Sequence, residues 1–341
     1  MSPRTLKHAL ALAACALLAS CGTTPPAHEL GARHEFVERH MGCAARIVIV
    51  HDDAEAARRA AREAFDVIAR CDEALSDYRT DNAVAELARH AGSAEHVAAS
   101  ELLLDALARA ARVTAATDGA FDVTCGPLVS LWRTARRTRE LPAADAIARA
   151  RALVDAHAIE IDAPHVRLAR AGMTLDFGGI GKGFAADRAL ARLRELGFPC
   201  ALVGIEGDLA LGAAAPGTAG WFVHAATGSG GDAELLVLAE CGVSTSGDAI
   251  QYVVIGGRRF SHIVDPRSGW ALEHAVRATV IARDATEADA FATAFSVLGR
   301  KRALPIAAAH DLEARIVERA GGERITTDTP GYAAHLAAGE R

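Results

Sequence analysis

Residues 174–190 run Thr-Leu-Asp-Phe-Gly-Gly-Ile-Gly-Lys-Gly-Phe-Ala-Ala-Asp-Arg-Ala-Leu and hold the densest chemistry in the chain. A short apolar strand is expected to end in the carboxylate of Asp176. Gly178, Gly179, Gly181, Lys182 and Gly183 follow, and a helix is expected from Phe184. Glycines at the mouth of a helix let backbone N–H groups approach an anion, and the helix N-terminus adds partial positive charge, so a phosphate-bearing ligand is the first expectation. Neither familiar phosphate fingerprint fits. A Walker loop needs Gly-x4-Gly-Lys-Ser/Thr, whereas Asp176 stands at its first glycine and Gly183 follows its lysine; the Gly-x-Gly-x-x-Gly spacing of dinucleotide sites is missing too.

Ala-Asp-Ala-Phe-Ala-Thr-Ala at 288–294 puts Asp289 and Thr293 four residues apart on one helical face. Carboxylate and hydroxyl are hard oxygen donors suited to Mg²⁺, which keeps several waters and leans on substrate phosphates for the rest of its shell. The plainer alternative is a solvent-facing Asp near a helix start, with the Thr bonded back to a carbonyl. Ser244-Thr245-Ser246-Gly247-Asp248 and the run from Ser261 to Gly269 flank Gly256-Gly257, a hairpin signal expected to draw the two together. They supply hydroxyls, an imidazole (His262) able to move a proton near neutral pH, and Asp265 at a proline turn. A solvent-facing strand histidine and a plain turn explain the same residues without chemistry. Asp118-Gly119-Ala120-Phe121-Asp122, ahead of Gly126-Pro127-Leu128, is either a helix stop with a tight loop or a ligand contact through backbone and Asp122. Tyr78 offers a stacking face for a flat ring.

These residues need a frame. Apolar runs at 46–50, 201–203, 221–226, 235–238, 252–255, 258–264 and 278–282 read as strands. Helical spacing marks 54–75, a helix capped by Ser100 and carrying Leu103, Leu107, Ala110 and Val113, then 143–154, 184–196 and 287–298. The arginine-rich stretch 133–139 is assigned to no element. Helices enriched early and strands consecutive later predict an α+β fold with an antiparallel or mixed sheet core and flanking helices. One domain is expected over 36–325, with a C-terminal tail at 326–341.

The first twenty residues read as a targeting segment: Arg4 and Lys7 form a basic start, and 9–18 an apolar stretch too short to span a bilayer stably. Leu18-Ala19-Ser20-Cys21 is similar to a bacterial lipobox, which makes 1–20 a lipoprotein signal peptide, Cys21 the lipidated residue and 21–35 a tether. The formal net charge of the 341-residue chain is −6, and −8 once Arg4 and Lys7 are removed, which argues against a nucleic-acid partner. Cys43, Cys71, Cys125, Cys200 and Cys241 form no Cys-x-x-Cys pair; they read as small apolar residues, with metal binding disfavoured and no disulfide assignable.

Taken in order, Met41-Gly42, Ser76-Asp77-Tyr78, Gly119 to Asp122 with Gly126-Pro127-Leu128, Leu175 to Asp187, Thr245 to Asp248, His262 to Gly269, and Ala288-Asp289 with Thr293 resemble the ApbE family of flavin transferases. The match spans about residues 36 to 320. The resemblance implies transfer of FMN from FAD to a threonine of target flavoproteins, with AMP released, and FAD pyrophosphatase or flavin storage as alternatives. It implies an FAD site at Met41, Tyr78, Ala120, Phe121, Asp122, Asp176, Lys182 and Ile263, and Mg²⁺ on Asp289, Thr293 and the carbonyl of Gly179. It places His262 at a catalytically required histidine. It also implies subunits of membrane redox complexes (of the Rnf or sodium-pumping quinone reductase type) as partners. The implied location is the periplasm, on a lipid anchor in the outer rather than the inner membrane because no Asp follows Cys21. Two departures stand out: Gly204-Ile205-Glu206-Gly207-Asp208 replaces the usual Asn-x-Gly-Gly-Asp, and Cys43 replaces Thr after Met-Gly. Both lie near the expected flavin pocket.

Overall fold

A computed structural model describes residues 31–226, 233–247, 251–320 and 323–338. The signal segment, Cys21 and most of the expected tether therefore lie outside the described residues, as does Asp248.

The chain enters through a hairpin of β1 (Arg33–His40) and β2 (Cys43–Val50), paired antiparallel from Arg33↔Val50 to His40↔Cys43. The first strand was not expected, and the tether expected to reach residue 35 gives way to it at Arg33. Its sequence alternates weakly because it is a mostly exposed edge strand. Asp53 then caps α1 (Ala54–Leu75), accepting from the N–H groups of Glu55 and Ala56 at 2.9 Å each. After α2 (Ala83–His90) and the short β3 (Val97–Ala98), Ser100 caps α3 (Glu101–Ala116). The arginine-rich stretch belongs to a further helix, α4 (Gly126–Thr138), followed by α5 (Ala144–Arg151). The Pro127 that reads as a turn residue fills the first helical turn, where its missing N–H costs nothing. Strands β4 (Ile159–Asp162) and β5 (His165–Leu168) join β3 in a small sheet.

Helix α6 (Gly181–Glu195) leads into the hairpin β6 (Ala201–Ile205) and β7 (Asp208–Leu211). The ribbon of β8 (Trp221–Ala226) and β9 (Ala233–Leu238) precedes β10 (Cys241–Gly247). A hairpin of β11 (Tyr252–Ile255) and β12 (Arg258–Ser261) turns at Gly256-Gly257, both at positive φ, and β12 stops three residues short of the expected Val264. Then come β13 (Val276–Ala282), α7 (Ala285–Leu298), α8 (Arg300–Ala309), β14 (Glu313–Ala320) and β15 (Glu323–Asp328).

The main sheet runs β1-β2-β6-β7-β10-β13-β14-β15, and every ladder among the described residues is antiparallel, as the α+β reading requires. Alternate side chains serve two cores. Ile47, Ile49, Val203, Ile205, Ala278, Val280 and Ile316 face the larger one, beneath α1, α6 and α7. Val48, Leu202, Leu211, Val243 and Ile281 face a smaller one, closed by Val223 and Leu236 of the β8–β9 ribbon and by Tyr332. Burying a side chain of this size contributes about 1.5–3 kcal/mol. Tyr332 is fully buried, and its hydroxyl donates to Glu234. The segment expected as a tail from 326 thus continues β15 and seals the second core. Helix α7 is buried on nearly all sides because its alanines let neighbouring helices approach closely.

Candidate functional site

The glycine loop does not behave as a free phosphate cradle. Residues 174–176 make no ladder; the N–H of Asp176 donates to the carbonyl of Val123 at 2.8 Å. The helix starts at Gly181, three residues before the expected Phe184. The N–H of Gly178 donates to Oδ1 of Asp176 at 2.8 Å, those of Ile180 and Gly181 donate to the carbonyl of Phe177, and that of Gly183 donates to Oδ2 of Asp289 at 3.0 Å. None of the four loop glycines has positive φ, so they are there for space, not for unusual backbone angles. A Cβ on Gly183 would sit 2.1 Å from the carbonyl oxygen of Ala285, and one on Gly179 would sit 3.0 Å from Oγ1 of Thr293 and 3.3 Å from Phe121. The loop is a close-packing surface that seats α6 against α7.

Asp187, at the end of the same motif, locks that contact. Its Oδ1 accepts from the N–H of Ala285 at 2.9 Å and its Oδ2 from the N–H of Thr286 at 2.8 Å, satisfying the first turn of α7. Asp289 is 4% exposed. Burial first, and Asp208 second, push its carboxyl well above the usual carboxylate range, with Lys182 and the Gly183 N–H opposing. Lys182 Nζ lies 2.8 Å from Oδ2 of Asp208 and 3.0 Å from Oε2 of Glu206. Burial works against its ammonium, but Asp208, Asp289 and Glu206 outweigh that and hold it protonated above the ordinary lysine range.

The hydroxyl of Thr293 packs against Gly179, 3.0 Å from where a Cβ there would stand, and Asp289, one turn earlier on α7, is bonded to Gly183 of the same loop. Among the described residues no three His, Cys, Asp or Glu side chains gather as a metal cage. The oxygen donors of Asp289 and Thr293 fit a small hard cation that completes its shell with water and phosphate oxygens.

The other expected residues fall into separate neighbourhoods. Met41, at φ +51 in the β1–β2 turn, lies against Gly181, 3.5 Å from where a Cβ there would stand. Ala120 and Ile263 share one small buried cluster with Leu272 and Val297, and Gly119 faces Arg267. The expected ligand carboxylate of Asp122 is turned inward: Oδ1 accepts from the N–H of Thr124 at 2.8 Å and its hydroxyl at 2.6 Å, which favours the tight-loop reading. Asp122 still lines a cavity of about 350 Å³ with Gly119, Pro266 and Arg267. A wider cavity of about 860 Å³ is bordered by Arg109, Ile180, Thr286, Phe291 and His310, next to the expected ligand residues but lined by none of them.

Arg133 is the residue the sequence reading missed. Its guanidinium donates to Asp176 Oδ2 at 2.9 Å and to Asp77, and stacks 4.6 Å over the ring of Tyr78. It ties three motif residues into one wall, leaving Tyr78 78% exposed with its other face open for stacking. The helical register of 126–138, with Leu128, Trp132 and Ala135 buried on one side, was the signal that could have found it. Trp132 Nε1 donates to the carbonyl of Gly269 at 2.9 Å, fixing the turn after His262 to the same helix. The ring of His262 places Nδ1 3.1 Å from the carbonyl oxygen of Gln251, while its own N–H donates to that oxygen at 3.0 Å.

The ApbE family model matches residues 41–316. The chain belongs to the ApbE family. It is 29% identical to the FAD:protein FMN transferase of Salmonella typhimurium, over 97% of this chain and 98% of that one. It is 33% identical to the FAD:protein FMN transferase of Treponema pallidum, over 83% and 82%. The crystal structure of the Pseudomonas stutzeri flavinyl transferase ApbE in its apo form superposes with a TM-score of 0.80 at 32% identity, covering 90% of this chain and 98% of that one. The ApbE fold is thus shared along almost the whole described chain. Among the described residues the cysteines are free thiols, and of these Cys71 is fully buried; Cys43 is half-buried, its thiol raised by burial and by Glu206.

Proposed function

We propose that this ApbE-family chain is an Mg²⁺-dependent enzyme that transfers the FMN moiety of FAD to a threonine hydroxyl of a target flavoprotein. The observation that carries this reading is the packing of the glycine loop on α7, with Gly179 against Thr293, the Gly183 N–H on Asp289, and the Lys182 ammonium in the field of Asp289. Asp289, Thr293 and the Gly179 carbonyl would hold Mg²⁺, which when bound supplies charge neutralisation for a pyrophosphate and its leaving AMP. Lys182 contributes a permanent cation at the same end. Tyr78, backed by Arg133, presents a stacking face for the flavin or adenine ring, and Met41, Ala120, Phe121 and Ile263 give apolar walls. The His262 imidazole accepts the proton of the attacking threonine hydroxyl as its oxygen bonds to the FMN-side phosphorus and the bond to AMP breaks. The product is a phosphoester-linked FMN plus AMP. The lipobox supports a periplasmic, lipid-anchored location on Cys21, and the acceptors are flavoprotein subunits of membrane redox complexes.

The test incubates the full chain with FAD, Mg²⁺ and a threonine-bearing acceptor, following covalent flavin by in-gel fluorescence and AMP by chromatography. Labelled acceptor and stoichiometric AMP are expected, both lost in Asp289→Ala. AMP and free FMN without labelled protein would make the chain an FAD pyrophosphatase, and tight FAD binding without turnover a storage protein.

A further inference from the structure

Residue 206 is a glutamate at φ +57, a backbone region that favours glycine, in the two-residue turn of the β6–β7 hairpin closed by Ile205↔Asp208. The strain comes with a specific contact. Glu206 Oε2 lies 3.0 Å from Lys182 Nζ, opposite Asp208 at 2.8 Å. The two partners of Lys182 are unequal. Asp208 is 4% exposed and anchored through Oδ1 by the hydroxyl of Ser244 at 2.5 Å, whereas Glu206 is 54% exposed and its side chain touches Lys182 from the solvent side. Lys182 therefore has one fixed counter-ion and one that can swing away. The corner carries two carboxylates, Glu206 and Asp208, to one ammonium, and an incoming pyrophosphate meets Glu206 in the position it needs.

We propose that Glu206 is a displaceable counter-ion that occupies Lys182 in the substrate-free protein and lowers the affinity of the site for a nucleotide pyrophosphate. This rests on the reading above, in which Lys182 meets the pyrophosphate of FAD. Glu206 competes with the substrate's anionic oxygens for one ammonium, so FAD enters only as that ion pair opens. Riboflavin, which carries no phosphate, gains nothing from its opening.

Flavin fluorescence quenching on the full chain in Mg²⁺, without acceptor, tests this with FAD and riboflavin as probes. Glu206→Gln keeps the strain of the left-handed backbone and removes the charge; Glu206→Gly removes the charge and relieves the strain. Both variants are expected to bind FAD about fivefold more tightly than the wild type at low salt, as loss of one competing exposed ion pair implies, with riboflavin binding unchanged. Glu206→Gly alone is expected to raise Tm. Equal FAD affinity in the three proteins, or an equal gain for riboflavin, overturns the role of Glu206 while leaving the flavin-transfer reading intact. Absence of FAD binding in all three overturns that reading, and this proposal with it.

Discussion

The backbone N–H of Gly183 donates to Oδ2 of Asp289 across 3.0 Å, joining the first turn of α6 to the second turn of α7. A motif residue and an expected metal ligand are thus held by one bond between two helices. The same glycine leaves no room for a side chain, since a Cβ would stand 2.1 Å from the Ala285 carbonyl.

Gly183→Ala should therefore separate α6 from α7. Because the obstacle is backbone, relief requires moving a helix, and a stability loss of about 3 kcal/mol is expected. Urea denaturation measures it. Metal-dependent FAD turnover should fall with it, and a fully stable, fully active variant would show that the helices can part without cost.

Arg133→Ala leaves the buried carboxylate of Asp176 without its cation and Tyr78 without the group stacked on it. A loss of about 2 kcal/mol is expected, less than for a fully buried pair because Arg133 is partly solvated. FAD binding should weaken as well. Arg133→Lys should restore little, since one ammonium cannot span Asp77 and Asp176 and stack on a ring. Isothermal titration with FAD distinguishes the three proteins.

Asp187 gives a pH signature. Burial, then the charge of Asp284, raises its pKa from the ordinary carboxylate value to about 6. The folded protein therefore holds a proton that the unfolded chain has already lost between about pH 4 and 6. This group's contribution to stability is full below that window and disappears as pH rises through it. Denaturation midpoints at pH 4.5 and 7 should show the wild type gaining on Asp187→Asn by roughly 1–2 kcal/mol upon acidification. An unchanged difference would mean that Asp187 titrates normally.

His262→Gln removes the proposed proton acceptor while keeping a polar side chain that can reach the Gln251 carbonyl. Turnover should drop roughly 10²–10⁴-fold with FAD affinity little changed. Loss of affinity with unchanged kcat would make His262 a binding residue instead.

Much of the arrangement was legible in the chain. Strong periodicity marked α1 and α3, and Gly256-Gly257 marked its hairpin, because local caps and turn geometry decide those elements. The exposed strand β1 and the helix α4 were not legible, the first for its weak alternation and the second because its charged face masked the register of Leu128, Trp132 and Ala135. The terminal segment was read as a tail because nothing local announces that Tyr332 fills a cavity under the sheet.

By itself, the sequence determined the donor chemistry: one lysine, one carboxylate–hydroxyl pair at helical spacing, a histidine before a proline turn, and the glycines among them. Residue type and local spacing suffice for that. Only the tertiary structure decided what each group is committed to. It spent the loop's N–H groups on Asp176, Phe177 and Asp289, assigned its glycines to helix packing, and set Arg133 behind Tyr78. It also surrounded Lys182 with Asp208 and Glu206. The reason is physical: a hydrogen bond or ion pair between residues far apart in the chain depends on how helices and strands pack, and no local pattern encodes that.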